Sequence, residues 1–313
     1  MEKYIILADI TCDLSREMRE LAEMKDYIRG HVSITDGGET KDYLTDLDWE
    51  HLDRDYFYSS LDNTKVKVVT SPPNLDEYID IFTKYVKEGY AILSMSISSK
   101  ISGTYDFSCV AARKVQESYP DAKIYCFDSL RMSGAFGMLT LYAHLLKQEG
   151  KSYEEVIEWL EANKNRVHQM GPIDDLIVIA RRGRITMGKA IFGSFAGVKP
   201  MGDCNSDGYV TVITKAKGIR KALDLTVEYV KRTAVDPENC YAIVSHTDRA
   251  QYAEILAEKV KESVGFKKVF VSESFAGNAT NIGTGMIGVY YFGEEVSPEL
   301  ERERAVMAEI CGK

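Results

Sequence analysis

The sequence has no apolar run that approaches the roughly 18 residues of a membrane-spanning helix. Its first apolar stretch reaches Asp9 too early to serve as a signal peptide, so we expect a cytoplasmic protein. Positive charge is also scarce, because 39 Lys and Arg residues face 48 Asp and Glu residues and the net charge is -9. Nucleic-acid phosphates need a concentrated basic face, so this balance argues against nucleic-acid binding.

The common signatures of metal sites and catalysis are missing as well. The six cysteines form no CxxC pair, so we expect reduced thiols and neither a zinc site nor a dense disulfide framework. No two of the five histidines are spaced like metal ligands on one helix face. No nucleophile elbow, HExxH or P-loop motif occurs. The sequence therefore predicts no catalytic residue, no metal and no cofactor.

One nucleotide-binding pattern does occur, at Gly283–Gly288, which matches GxGxxG. A dinucleotide fingerprint must follow a strand, open a helix and precede an acidic residue about 20 positions later. Here the glycines are followed by Val289–Phe292, which is a strand pattern close to the end of the sequence. We therefore reject the nucleotide interpretation.

At 313 residues the chain exceeds the roughly 100–200 residues of a typical domain, so we expect two domains. In the first half, helical patterns alternate with predicted strands at Tyr4–Ala8, Lys65–Val69, Ala91–Ser96 and Lys123–Phe127. This rhythm predicts an α/β fold whose N-terminal domain, residues 1–165, has three α/β/α layers and a mainly parallel sheet. The second half mixes turns, strands and helices, which predicts a C-terminal α+β domain with a mixed sheet at residues 166–313.

Two hydroxyl-rich turns, Val68–Asn74 and Ser98–Tyr105, each follow a predicted strand. In a parallel sheet, both turns would lie along the carboxyl edge, where α/β proteins bind ligands. Free N–H groups at the helix starts, together with the hydroxyls of Thr70 and Ser102, would suit an anionic group such as a carboxylate. Ordinary helix capping by Ser and Thr is the alternative for each turn.

His246 follows the predicted strand Tyr241–Ser245 and lies two residues before Asp248. A hydrolase or phosphotransferase that uses His246 with Asp248 or Asp9 is therefore a rival interpretation, although it rests on analogy between folds. A partly exposed histidine near a helix start is the plainer alternative.

Six segments, in this order, make the sequence similar to the DegV family of bacterial fatty-acid-binding proteins over nearly its whole length. They are Asp9–Leu14, Thr70–Pro73, Ser99–Tyr105, Asp128–Ser129 with Ser133–Gly134, Arg182–Ile185 and Gly283–Gly285. The resemblance implies two domains with a lipid in the crevice between them and its tail in a tunnel of the C-terminal domain. It also implies a non-catalytic subunit that presents a long-chain fatty acid to a separate fatty acid kinase, which makes acyl phosphate.

The resemblance further implies a set of ligand-binding residues, namely Thr70, Ser71, Ser102, Gly103, Arg184, Asn281 and Gly283. Arg184 would offer a permanent charge that can bind a carboxylate through two hydrogen bonds. Met187–Pro200, which is apolar and contains small residues, is the candidate tunnel wall. The family usually has a histidine at the position of Asn281, which is uncharged, so a different amphiphilic carboxylate is a further alternative.

Overall fold

The computed structural model describes residues 3–174, 176–184 and 197–312. Over these ranges, no helix combines the length and the apolar character that crossing a membrane requires. The chain divides into two compact units, of which the first runs to Lys164 and also includes Phe275–Gly277, while the second begins at Asn165. Of the predicted tunnel wall Met187–Pro200, residues 187–196 lie outside the described residues.

The first unit alternates strands and helices. Its elements are β1 (Tyr4–Ala8), α1 (Arg16–Leu21), β2 (His31–Asp36), β3 (Glu39–Leu44), α2 (Arg54–Asp62), β4 (Lys67–Ser71), α3 (Leu75–Lys87), β5 (Ala91–Ser96), α4 (Thr104–Ser118), β6 (Ile124–Asp128), α5 (Ser133–Gln148) and α6 (Tyr153–Asn163). Strands β1, β5 and β6 form a parallel sheet in the order β1-β5-β6.

Helices cover both faces of this parallel sheet. Because side chains alternate along a strand, Ile5 and Leu7 share one face, where they join a buried core with residues of α3 and α4. Tyr4 points to the other face, and its ring centroid lies 5.8 Å from that of Tyr153 in α6. The predicted three-layer α/β/α arrangement is confirmed.

Strand β4 does not join the parallel sheet, so the prediction that it does is wrong. It pairs antiparallel with β2, which also pairs antiparallel with β3, in the order β3-β2-β4. The β2–β3 hairpin turns through Gly37 and Gly38, whose φ angles of 56° and 88° favour glycine. Because β4 pairs with this hairpin and β5 belongs to the parallel sheet, the turns after β4 and β5 do not lie at the carboxyl edge of one sheet.

The second unit combines helices with a mixed sheet. Its elements are β7 (Val167–Met170), α7 (Leu176–Arg181), β8 (Val198–Cys204), β9 (Val210–Lys217), α8 (Ile219–Thr233), β10 (Tyr241–His246), α9 (Ala250–Val264), β11 (Lys268–Glu273), the end of α10 (Ala276–Ile282), β12 (Ile287–Phe292) and α11 (Glu301–Ile310). The sheet order is β11-β10-β12-β7, with β10 and β11 parallel and β12 antiparallel to both of its neighbours. Strands β8 and β9 form a separate hairpin, and the predicted α+β class with a mixed sheet is confirmed.

The two faces of the mixed sheet differ in composition. Val244, Val289 and Tyr291 are buried on one face, in a core that also contains residues of α8, α9 and α11. The alternate positions point the other way, and the strand pairing aligns Tyr290 of β12 with Gln169 of β7. This second face contributes to the cavity described below.

A buried ion pair ties β7 to β8. His168 Nδ1 lies 2.8 Å from Asp203 Oδ2, and His168 Nε2 donates to the Glu294 carbonyl at 2.7 Å. Asp203 Oδ1 also accepts the backbone N–H groups of Gln169 at 2.9 Å and Cys204 at 2.7 Å. Burial alone would lower the pKa of His168, but the charge of Asp203 and these hydrogen bonds outweigh it and raise the pKa.

Candidate ligand-binding site

Thr70 and Ser71 are the last two residues of β4, where they pair with Val32 and His31 of β2. Thr70 is half-buried, whereas Ser71 is exposed. The sequence predicts both hydroxyls in a turn after a strand that ends at Val69, but the strand continues to Ser71 and contains them both. They extend from an antiparallel strand, however, rather than from the edge of the parallel sheet.

Ser102 and Gly103 lie in the turn between β5 and α4, which begins at Thr104. Gly103 takes the N-cap position and makes no side-chain cap, while Ser102 Oγ accepts the Thr104 N–H at 3.3 Å. The Ser102 and Thr104 hydroxyls are 2.7 Å apart. Only one of these two hydroxyls can donate to the other, so one O–H remains to donate to a ligand.

Asp9 lies at the carboxyl end of β1 and is almost fully buried. Its Oδ1 accepts the Thr11 N–H at 2.8 Å and the Thr11 hydroxyl at 2.5 Å, and its Oδ2 accepts the Ile97 N–H at 2.9 Å. Burial raises the pKa of Asp9 to about 6, although all three hydrogen bonds favour the charged form. The bond from Ile97 gives Asp9 a structural role, since it joins the ends of β1 and β5.

Asp13 is a second buried carboxylate in the same segment, and it is not among the site residues predicted from the sequence. Its Oδ2 accepts the Ser133 hydroxyl at 2.5 Å, and its Oδ1 accepts the Phe275 N–H at 3.0 Å. Asp13 therefore holds the start of α5 and the segment Phe275–Gly277, from which α10 continues. Both Asp13 and Ser133 fall in segments that resemble the DegV family, which is the signal that could have identified them.

Asn281 is half-buried in α10, and Gly283 follows the end of this helix with a φ of 86°. A Cβ atom at Gly283 would lie 3.3–3.4 Å from the Val178 side chain of α7. Ile282 also packs against the buried Ile179 of α7. The second unit therefore brings α7 and the end of α10 into contact.

Thr247 shapes the glycine turn that follows α10. Its Oγ1 donates to the Gly283 carbonyl at 2.7 Å and accepts the Met286 N–H at 2.9 Å. Gly285 has a φ of 99°, and a Cβ atom there would lie 2.2 Å from Asp174 Oδ2. The turn leads into strand β12, unlike a dinucleotide-binding loop, which opens a helix.

Arg184 follows α7 in a Schellman motif. Gly183 has a φ of 71° and donates its N–H to Ala180 at 3.0 Å, while Arg184 donates its N–H to Ile179 at 3.2 Å. The half-buried guanidinium of Arg184 donates to the Arg182 carbonyl, and no acid in the described ranges forms an ion pair with it. Burial, and then the nearby charge of Arg184, lower the pKa of Arg182. Two cations thus lie together at the end of α7.

A cavity lies within the second unit, and its lining comes from β7, β8, β9, β12 and the residues beside them. Most of the lining side chains are apolar, and they include Ile173, Met201, Val210, Val212 and Met286. The cavity therefore favours an apolar ligand or an apolar part of a ligand.

His246 is buried at the end of β10. Its Nδ1 accepts the Arg249 N–H at 3.2 Å, so this ring nitrogen caps the start of α9. This contact agrees with the plainer alternative of a histidine near a helix start, but the expected partial exposure is wrong, because His246 is buried. In the ranges that the structure describes, no three His, Cys, Asp or Glu side chains are grouped so that they could hold a metal ion.

Comparison with known proteins decides the family. A family model described as "Uncharacterised protein, DegV family" matches residues 3–294. The chain belongs to the DegV family. A DegV domain-containing protein of Clostridium perfringens is 30% identical over 298 residues, which cover 95% of this chain and 100% of the relative.

Solved DegV structures share the fold. DegV, a fatty acid binding protein from Bacillus subtilis, is 25% identical with a TM-score of 0.78, over 94% of this chain and 100% of that chain. A DegV lipid binding protein from Thermotoga maritima is 21% identical with a TM-score of 0.79, over 94% of this chain and 99% of that chain. These likenesses agree with the α/β fold described above.

The ligand-binding residues predicted for this DegV chain fall into two groups. Thr70, Ser71, Ser102 and Gly103 belong to the first unit, at the end of β4 and the start of α4. Arg184, Asn281 and Gly283 belong to the second unit, where α7 and the end of α10 are in contact.

Proposed function

We propose that this chain binds a long-chain fatty acid and presents the carboxylate to a separate kinase subunit, which forms acyl phosphate. The observation that carries the proposal is the apolar cavity of the second unit, in a chain of the DegV family. The Bacillus subtilis DegV protein, a fatty acid binding protein, supports the same class of ligand.

The cavity is proposed to take part of the hydrocarbon tail. Each CH₂ group removed from water contributes about 0.8 kcal/mol, so a long chain can bind tightly with few polar contacts. Met201 and Met286 line the cavity, and their flexible thioether side chains can adapt to the shape of a tail.

The carboxylate is proposed to bind the hydroxyls of Thr70 and Ser102 and the charge of Arg184. The spare O–H of the Ser102 and Thr104 pair supports the first contact. Arg184 supports the second, because its guanidinium makes no ion pair within the described ranges. Ser71, Gly103, Asn281 and Gly283 complete the proposed set.

We propose that the chain itself does not catalyse phosphoryl transfer. The rival enzyme would use His246 with Asp248 or Asp9. His246 Nδ1 already accepts the Arg249 N–H, and the Asp9 carboxylate already accepts three hydrogen bonds. Neither group is arranged as a free general base.

Mass spectrometry of organic extracts from the purified protein tests the proposal. We expect about one fatty acid per chain, because a ligand that binds only the folded state stabilises it by RT ln(1 + [L]/Kd). The protein alone should not hydrolyse ATP. Folded protein without lipid, whose melting temperature does not rise with added fatty acid, would overturn the proposal.

A second candidate is the carrier of another amphiphilic carboxylate. Asn281 favours it, because an amide offers a hydrogen bond without the charge that a histidine at this position can carry. The same extracts distinguish the two candidates through the mass of the bound molecule.

A further inference from the structure

Two lining side chains carry polar atoms in an otherwise apolar cavity, those of Gln169 and Tyr290. Gln169 lines the cavity, and its Oε1 atom is buried without a hydrogen-bond donor in the described part of the chain. Buried amide oxygens are nearly always paired, because leaving one unpaired is costly. Something outside the described chain should therefore donate to this oxygen.

The backbone of Gln169 is held in place. Its N–H donates to Asp203 Oδ1 at 2.9 Å, and Asp203 is itself paired with the buried His168. On the opposite side, β7 pairs Gln169 with Tyr290 of β12. The strand alternation directs the Gln169 side chain away from the core that contains Met170 and Val289.

Other polar groups lie on the same face of the sheet. Ser245 is fully buried, its Oγ has no hydrogen-bond partner among the residues described, and it pairs with the cavity-lining Gly288. A Cβ atom at Gly288 would lie 3.2 Å from the Tyr290 hydroxyl, so this hydroxyl reaches over Gly288. An amide, a phenol and an alcohol thus share one face beside an otherwise apolar cavity.

We propose that the fatty acid of this chain carries a hydroxyl group along its hydrocarbon tail, and that Gln169 recognises it. This proposal rests on the proposed fatty-acid function. A plain hydrocarbon tail has no donor for Gln169 Oε1, whereas an alcohol donates its O–H to that oxygen. The oxygen of the same alcohol can accept a hydrogen bond from a hydroxyl such as that of Ser245.

A competition assay with a fluorescent fatty acid tests the proposal, using stearate and a series of hydroxystearates that differ in the position of the hydroxyl. We expect at least one isomer to bind about tenfold tighter than stearate, because stearate would leave the buried Gln169 Oε1 without a hydrogen-bond donor. Gln169→Met should abolish this preference, so that no hydroxystearate binds more tightly than stearate. Met201→Leu, which changes an apolar residue of the same cavity, should keep it.

The outcomes separate the two proposals. Stearate binding with no preferred hydroxystearate would mean that water satisfies Gln169, and would overturn only the hydroxyl proposal. An equal loss of affinity for all ligands in Gln169→Met would also overturn it. Failure of every ligand to bind would overturn fatty-acid binding as well. The comparison of ligands on the unsubstituted protein is decisive even if Gln169→Met fails to fold.

Discussion

Ser102 offers its hydroxyl to the start of α4 and, in our proposal, to a carboxylate. We expect Ser102→Ala to weaken fatty-acid binding about tenfold, because a hydrogen bond to a charged group contributes roughly 1.5–3 kcal/mol. The loss of stability should be small, since Gly103 holds the N-cap position and Ser102 Oγ contacts a single residue, Thr104, through its N–H at 3.3 Å and its hydroxyl at 2.7 Å. Titration with a fluorescent fatty acid and denaturant melts measure the two effects.

Ser152→Ala is the matched control for this substitution. Ser152 caps α6 in a full capping box with Glu155, so its removal should lower stability by about 0.5–2 kcal/mol and leave fatty-acid affinity unchanged. If Ser102→Ala behaves in the same way, the Ser102 hydroxyl serves only its own helix.

At the scale of elements, the pair of His168 and Asp203 holds β7 and β8 beside the cavity. Asp203→Asn would leave His168 buried without its carboxylate, and we expect a loss of about 3–5 kcal/mol in the free energy of unfolding. Glu228→Gln breaks the exposed pair with Arg232 and should change little. Urea melts of both variants check this, and similar small losses would show that the buried pair contributes no more than a surface pair.

The sequence predicts helix starts well because their signals are local. Asn74 and Glu77, which are three residues apart, form a capping box at the start of α3, and Ser152 forms another with Glu155 at the start of α6. Sheet partners are not local, and β4 illustrates this. The β-branched residues of β4 indicate a strand. Its antiparallel partner β2 is held in a hairpin with β3, and β3 has no recognisable strand pattern because its residues are mostly exposed and polar.

At the scale of the whole molecule, the candidate site also has some residues that local motifs identify and others that depend on the fold. Motif resemblance identifies Thr70, Ser102, Arg184 and Asn281 as candidates. It does not identify Gln169, because a single glutamine in a strand carries no motif. Its unpaired oxygen becomes apparent only when β7 is placed beside β12 and β8.

Two buried groups of the first unit, Asp9 and His144, change the stability of the protein in opposite directions as the pH rises. Asp9 has its pKa raised from 3.8 to about 6, so the stability it contributes is lost as the pH rises through this window. Burial, with a smaller effect of Lys147, lowers the pKa of His144 from 6.5 to about 4, and stability is therefore lost as the pH falls through that window. Each shift amounts to about 3 kcal/mol, so the two contributions nearly cancel between pH 4 and 6.5.

Single substitutions should reveal each half of this balance. Relative to the unsubstituted protein, the free energy of unfolding of Asp9→Asn should rise by about 3 kcal/mol between pH 4 and 6.5, because the variant lacks the ionisation that opposes folding. The free energy of unfolding of His144→Gln should fall by about the same amount relative to the unsubstituted protein. The reason is that deprotonation of His144 in the unfolded state stabilises the unsubstituted protein as the pH rises, and the variant lacks this gain. Chemical denaturation across this range measures both differences, in which every other titrating group cancels. Difference curves that stay flat, or slope the same way, would mean that Asp9 and His144 keep ordinary pKa values despite their burial.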